Sequence, residues 1–168
     1  MSMPAKLSGP AVSRPTLGIR RAILLAASVT ALVLSACASP AADGDGEGTT
    51  IAVTLQEWAV IPASDSAPAG EVTFQVTNNG PDDIHEFVVL RTDLDAADLP
   101  VDENGMVTED EGGIEVVDEI EDIPVGESQD VTVTLEAGNY ILLCNIYSAD
   151  EDEAHYSEGM RTAFSVTD

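Results

Sequence analysis

Tyr140-Ile-Leu-Leu-Cys144 runs five residues without a polar break, after the turn Glu136-Ala-Gly-Asn139 and before Asn145. An apolar run this short predicts a strand covered on both faces. Outward from it, Ile51, Val53 and Leu55 alternate with polar residues and lead to Trp58, and Val72, Phe74 and Val76 alternate up to the turn Asn78-Asn-Gly-Pro81. His85-Glu-Phe-Val-Val-Leu90 is a second short apolar run, Val131, Val133 and Leu135 alternate again, and Met160 to Val166 puts Thr162, Phe164 and Val166 on one side. Short segments of period two, bounded by Gly, Pro and Asn turns with no long helical period, predict an all-β sandwich.

The segment Arg91–Glu127 interrupts that rhythm. Asp93-Leu-Asp-Ala-Ala-Asp-Leu99 predicts a short helical turn, capped by Asp93 and stopped by Pro100. Asp102 to Gly113 is a polar excursion whose carboxylates are not spaced like an EF-hand loop, so it reads as a solvated loop. Ile114-Glu-Val-Val-Asp-Glu-Ile120 resumes as a strand.

The first 36 residues hold four of the six basic side chains (Lys6, Arg14, Arg20, Arg21) and no acidic one. The apolar run Ala22–Leu34 is too short for a comfortable membrane span and reads as the core of an export signal. Its end, Leu34-Ser-Ala-Cys37, is similar to the lipobox of bacterial lipoproteins. The expectation is a signal peptide over 1–36, a lipid on Cys37, and a flexible acidic tether over 37–48. The folded domain then occupies 49–168, exported and held at the outer face of the cell membrane through the anchor alone. Arg20-Arg21 leave Sec and Tat export both open.

Residues 37–168 carry Arg91 and Arg161 against all 31 acidic residues, two against 31, which leaves a formal charge of −29. Nucleic acid is excluded as a partner, because holding a phosphate backbone needs cations. The charge suits encounter with a basic protein partner, and it equally suits a generally acidic proteome. With Cys37 committed to lipid, Cys144 has no intramolecular partner for a disulfide.

The chain has only two histidines and two cysteines, so His85, Cys144, His155 and Met160 form one ordered set. A thiolate, two imidazoles and a thioether are the ligands expected of a blue-copper site, with His85, His155 and Cys144 in a plane and Met160 as a weak axial contact. Each residue also has a plainer role. Cys144 can be a small buried hydrophobe, His85 a turn cap, His155 a surface residue and Met160 core filler.

Asn78-Asn-Gly-Pro-Asp-Asp-Ile-His85-Glu-Phe-Val-Val, Tyr140-Ile-Leu-Leu-Cys144-Asn-Ile and His155-Tyr-Ser-Glu-Gly-Met160 together resemble the cupredoxin family of plastocyanin- and azurin-like proteins, and in particular its bacterial lipoproteins. The resemblance spans about residues 50–168. It implies a Greek-key sandwich, one type 1 copper, ligands at His85, Cys144, His155 and Met160, and one-electron transfer to a redox partner rather than enzymatic turnover. One departure stands out. Ten residues, Asn145 to Ala154, separate Cys144 from His155, where the family keeps the two close. They include Asp150-Glu-Asp-Glu153, which put the rigidity and potential of the site in question. Copper capture and delivery, or a metal-free β-sandwich lipoprotein, are the competing functions.

Overall fold

The computed structural model describes residues 48–109 and 112–168. The expected signal peptide, the Cys37 lipidation site and nearly all of the tether lie outside the described residues. Eleven strands and one helical turn follow in order: β1 (Thr49–Gln56), β2 (Ala59–Pro62), β3 (Ser66–Pro68), β4 (Gly70–Asn78), β5 (His85–Arg91), β6 (Glu115–Ile123), β7 (Ser128–Leu135), β8 (Gly138–Leu143), β9 (Tyr147–Ser148), β10 (Glu153–Ala154), α1 (His155–Glu158) and β11 (Arg161–Thr167).

One sheet has the order β2-β1-β4-β7 and the other β3-β11-β8-β5-β6, while β9 and β10 pair as a separate ribbon. The chain crosses between the two main sheets at β2–β3, β3–β4, β4–β5, β6–β7 and β7–β8, giving the expected Greek-key sandwich. Alternation sets the core. Ile51, Val53 and Leu55 of β1 and Val72, Phe74 and Val76 of β4 meet Phe87, Val89, Leu142, Phe164 and Val166 of the facing sheet. Phe74 sits at the centre, its ring 5.3 Å from Phe87 and 5.6 Å from Phe164. Such tilted and edge-on ring contacts add to burial itself.

Strand β8 is buried on both faces from Tyr140 to Leu143, as its sequence predicts. Its outer face is covered by the Arg91–Glu127 excursion, which is more structured than a solvated loop. Leu99 and Val107 are buried there against Val88, Leu90, Ile141, Leu143 and Tyr156. Val101 and Val107 pair across a small bridge that lets the polar residues between them face water. The helical turn expected over Asp93–Leu99 does not form. Instead one tight turn closes between Asp95 and the Asp98 N–H (2.9 Å). Asp93 caps nothing, and its carboxylate accepts a bond from Asn139 across the loop. Four or five residues are too few to repay helix nucleation once Leu99 is drawn into the second apolar cluster.

Candidate metal centre

Three strand ends converge at one pole of the sandwich. His85 opens β5, Cys144 follows the last residue of the neighbouring β8, and Met160 precedes β11, which pairs with β8 on its other side. Backbone bonds tie the set together. The Cys144 N–H donates to the Met160 carbonyl (3.0 Å), and the Met160 N–H donates to the His155 carbonyl (3.0 Å).

Local chemistry aims His85. Between His85 and Phe87 the pairing with β6 carries one extra residue on the β6 side, and there Asp122 takes a left-handed backbone (φ 50°). Bulges of this kind turn a strand end toward a site. The preceding loop is fixed by Asn78, which is fully buried. Its amide donates to the carbonyls of Asp83 (2.8 Å) and Ile123 (2.9 Å), and its oxygen accepts from the Gly80 N–H (2.8 Å). Gly80 has φ 42°, and a Cβ there would stand 2.7 Å from Val125. The turn therefore demands glycine.

The long segment between Cys144 and His155 is not slack. The β9–β10 ribbon fills it and leads into the turn α1, which begins at His155, and Tyr147 and Ser148 bond to Asp152 and Glu151 within it. Three side chains, Asn145 within it and Tyr156 and Ser157 of α1, then bolt this region to the excursion. Asn145 bonds Val107 and Glu109, the Tyr156 hydroxyl donates to Ala96 and accepts from Leu99, and Ser157 donates to Gly105.

The donor atoms lie within direct reach of one another. His85 Nδ1 lies 3.1 Å from His155 Nδ1, and Cys144 Sγ lies 3.4 Å from His155 Nδ1 and 3.9 Å from His85 Nδ1. All three side chains are 1 % exposed or less. The circle through the corners of a triangle with those sides has a radius of about 2.0 Å, which is the length of a metal–imidazole bond, about 2.0–2.1 Å. The residues fit a bound ion. Met160 is fully buried in the adjoining core.

Burial governs the charge state. It pulls the His85 imidazole down to about 4, helped by the nearby His155 and opposed by Glu57. Burial lowers His155 too, against the carboxylates of Asp83, Glu57 and Glu151. The Cys144 thiol is pushed up to about 12 by burial, although the N–H groups of Glu86 and Ile146 favour its thiolate. Without a metal, neutral water leaves two neutral imidazoles and a protonated thiol. A cation inverts that balance, because its charge replaces the missing solvation.

The architecture has a counterpart among solved structures. Dithionite-reduced auracyanin from the photosynthetic bacterium Roseiflexus castenholzii matches 73 % of this chain and all of its own, with 22 % identity and a TM-score of 0.51. This is the cupredoxin fold. Auracyanin B (22 % identity, 74 % of this chain, 92 % of its own, TM-score 0.49) and rusticyanin from Thiobacillus ferrooxidans (17 %, 73 %, 79 %, 0.48) superpose less closely. No protein-family model matches the chain, and neither does any curated protein.

Within this cupredoxin fold, His85, Cys144 and His155 gather as the sequence predicts, and Met160 joins them through its backbone. Sequence reasoning missed the supporting side chains. Asn78 stood in a recognised turn, but nothing marked its amide as buried. Glu57 and Trp58 follow β1 and reach the two imidazoles, and only tertiary packing reveals them.

Proposed function

We propose that this protein is a type 1 copper electron carrier, anchored by a lipid on Cys37 at the outer face of the cell membrane. The triangle of His85 Nδ1, His155 Nδ1 and Cys144 Sγ carries the reading, because it is buried, sized for a metal and built of soft and borderline donors. Thiolate and thioether together select copper over zinc, which gains little from a methionine. A copper ion held there would supply a one-electron Cu(II)/Cu(I) couple. His85, Cys144, His155 and Met160 would hold it.

The chain's own residues do the rest. Asn78, Asn145 and Tyr156 fix the loops that carry the ligands, so the site has little freedom to rearrange between oxidation states. The core residues around Met160 and Cys144 exclude water. Auracyanin, the similar structure described above, was reduced with dithionite, which accords with redox use of such a centre.

Burial and bolting favour a carrier over a copper-delivery protein, since delivery needs an ion that can leave. They also disfavour a cysteine enzyme: a fully buried thiol held at about 12 is a poor nucleophile. Partners follow from charge: a redox protein with a basic docking face, and no nucleic acid. No helix among the described residues is long and apolar enough to cross a membrane.

The deciding measurement is the visible and EPR spectrum of the protein with copper added. Intense blue colour that bleaches with a mild reductant and returns on oxidation, with no loss of metal, is the expected result. Colourless protein that releases its copper to a chelator within seconds overturns the carrier.

A further inference from the structure

Two consecutive residues at the end of β1 address the two imidazoles, one each. The Trp58 ring packs edge-on against His155, 5.0 Å between centroids. Glu57 faces His85, its Oε1 lying 3.6 Å from His85 Nε2, on the side of the ring away from Cys144 and His155. The Glu57 side chain is 11 % exposed and that of His85 is fully buried.

Glu57 is already committed on its other side. Its Oε1 accepts the N–H groups of Asp82 (3.1 Å) and Asp83 (2.8 Å), which fixes the carboxylate against the loop that leads into His85. Both Glu57 Oε2 and His85 Nε2 are buried among the described residues without a hydrogen-bond partner. Buried polar groups left this way are rare and costly, about 1–3 kcal/mol each. Here an unpaired ring nitrogen faces a carboxylate whose Oε1 lies 3.6 Å away. A shift of a few tenths of an ångström, or one bridging water, pairs them.

We propose that Glu57 is the positioning residue of the metal centre: its carboxylate accepts a hydrogen bond from the Nε2–H of His85, and so fixes the tautomer that leaves Nδ1 bare toward Cys144 and His155. The inference rests on the metal reading of the site for its purpose, but the tautomer exists with or without metal. An imidazole carries one proton when neutral, and holding it at Nε2 leaves a lone pair at Nδ1, the atom that faces the other donors. Carboxylate partners behind ligating histidines act in this way, setting ring orientation and ligand basicity. One consequence is internal to the metal-free protein. With His85 Nδ1 bare, the 3.1 Å contact between the two Nδ1 atoms is bridged by the proton of His155, which donates to His85.

The test is a long-range proton–nitrogen NMR spectrum of the metal-free full-length protein, beside Cu(I) affinity measured by competition with a chelator, for wild type and Glu57→Gln. Glutamine keeps the size and an oxygen for the Asp82 and Asp83 N–H groups, but removes the charge that favours a proton at His85 Nε2. Wild type is expected to show His85 protonated at Nε2. The variant should lose that preference, with protonation at Nδ1 appearing, and weaken Cu(I) binding by about 10- to 100-fold. His85 protonated at Nδ1 in wild type overturns the proposal, and so does a variant with unchanged tautomer and affinity within about twofold. If the variant does not fold, the wild-type tautomer alone decides. A wild type with the Nε2 tautomer that binds no copper sinks the copper reading and leaves the pairing with Glu57 standing.

Discussion

The side chain of Asn145 closes both backbone groups of Val107: its Oδ1 accepts the Val107 N–H at 2.6 Å and its Nδ2 donates to the Val107 carbonyl at 3.0 Å. Its own backbone N–H donates to Glu86 Oε1 at 2.6 Å. The residue after the cysteine thus joins the excursion, the ligand loop and the residue after His85.

Replacing Asn145 with Ala strands the Val107 N–H and carbonyl together. Loss of that paired contact should destabilise the fold by about 1–3 kcal/mol. Because the ligand loop is released with it, the variant should also lose copper to a chelator faster than wild type. Chemical denaturation and chelator kinetics check the two effects. Unchanged metal release in a destabilised variant would show that Asn145 supports the fold and not the site.

Cys144→Ser and Met160→Leu separate the two sulfurs. Serine at 144 removes the thiolate, so copper should bind weakly and without blue colour. Leucine at 160 preserves volume and should cost under about 1.5 kcal/mol in packing. It should leave the blue colour while moving the reduction potential, since the axial donor tunes potential rather than making the site. A Met160→Leu protein with wild-type spectrum and potential would remove the methionine from the ligand set.

Much of this centre is legible in the sequence because strand patterning is local. Tyr140–Leu143 reads as doubly buried and is, and the alternation at Ile51–Leu55 and Val72–Val76 faces the core as written. The order His85, Cys144, His155, Met160 is a chemical inventory that two histidines and one free cysteine make short. What escaped is long-range. Val107 sits in a stretch of Asp, Glu, Asn and Gly, and only Asn145, 38 residues away, makes it a buried point. Glu57 looks like any acidic residue of an acidic chain until the loop at Asp82–Asp83 folds onto it. The ten residues between Cys144 and His155 put the rigidity of the site in question; length itself adds little closure entropy, and the hold of Asn145 on Val107 shows only in the folded chain.

The loop carboxylates Asp150, Glu151 and Asp152 are exposed, and Glu153 is only partly covered. Of these four, Glu151 acts on His155, behind Asp83 and Glu57. Neutralising Asp150–Glu153 to Asn and Gln should raise the potential, because negative charge favours Cu(II) over Cu(I). Water screens exposed charges. The rise should therefore stay below the ~59 mV that a tenfold change in a one-electron couple represents. Asp83→Asn, closer to the imidazole, should raise it more than any single loop substitution. Voltammetry at low and high salt checks both, with the loop effect fading as salt rises.

Metal binding should release about one proton per copper between pH 7 and 8. Burial holds the Cys144 thiol at about 12, so it must lose its proton to bind, whereas His85 at about 4 and the lowered His155 are already neutral. Affinity should then rise about tenfold per pH unit across that range, because one proton competes with one metal ion. The sign reverses nowhere below the thiol's own value. The slope steepens in acid, where the lowered imidazoles of His155 and His85, the latter at about 4, begin to hold protons against the metal. Calorimetry in buffers of different ionisation enthalpy counts the protons directly. A count of zero would mean that the sulfur at 144 is not a ligand, and a count near two would mean that one imidazole is charged in the resting site.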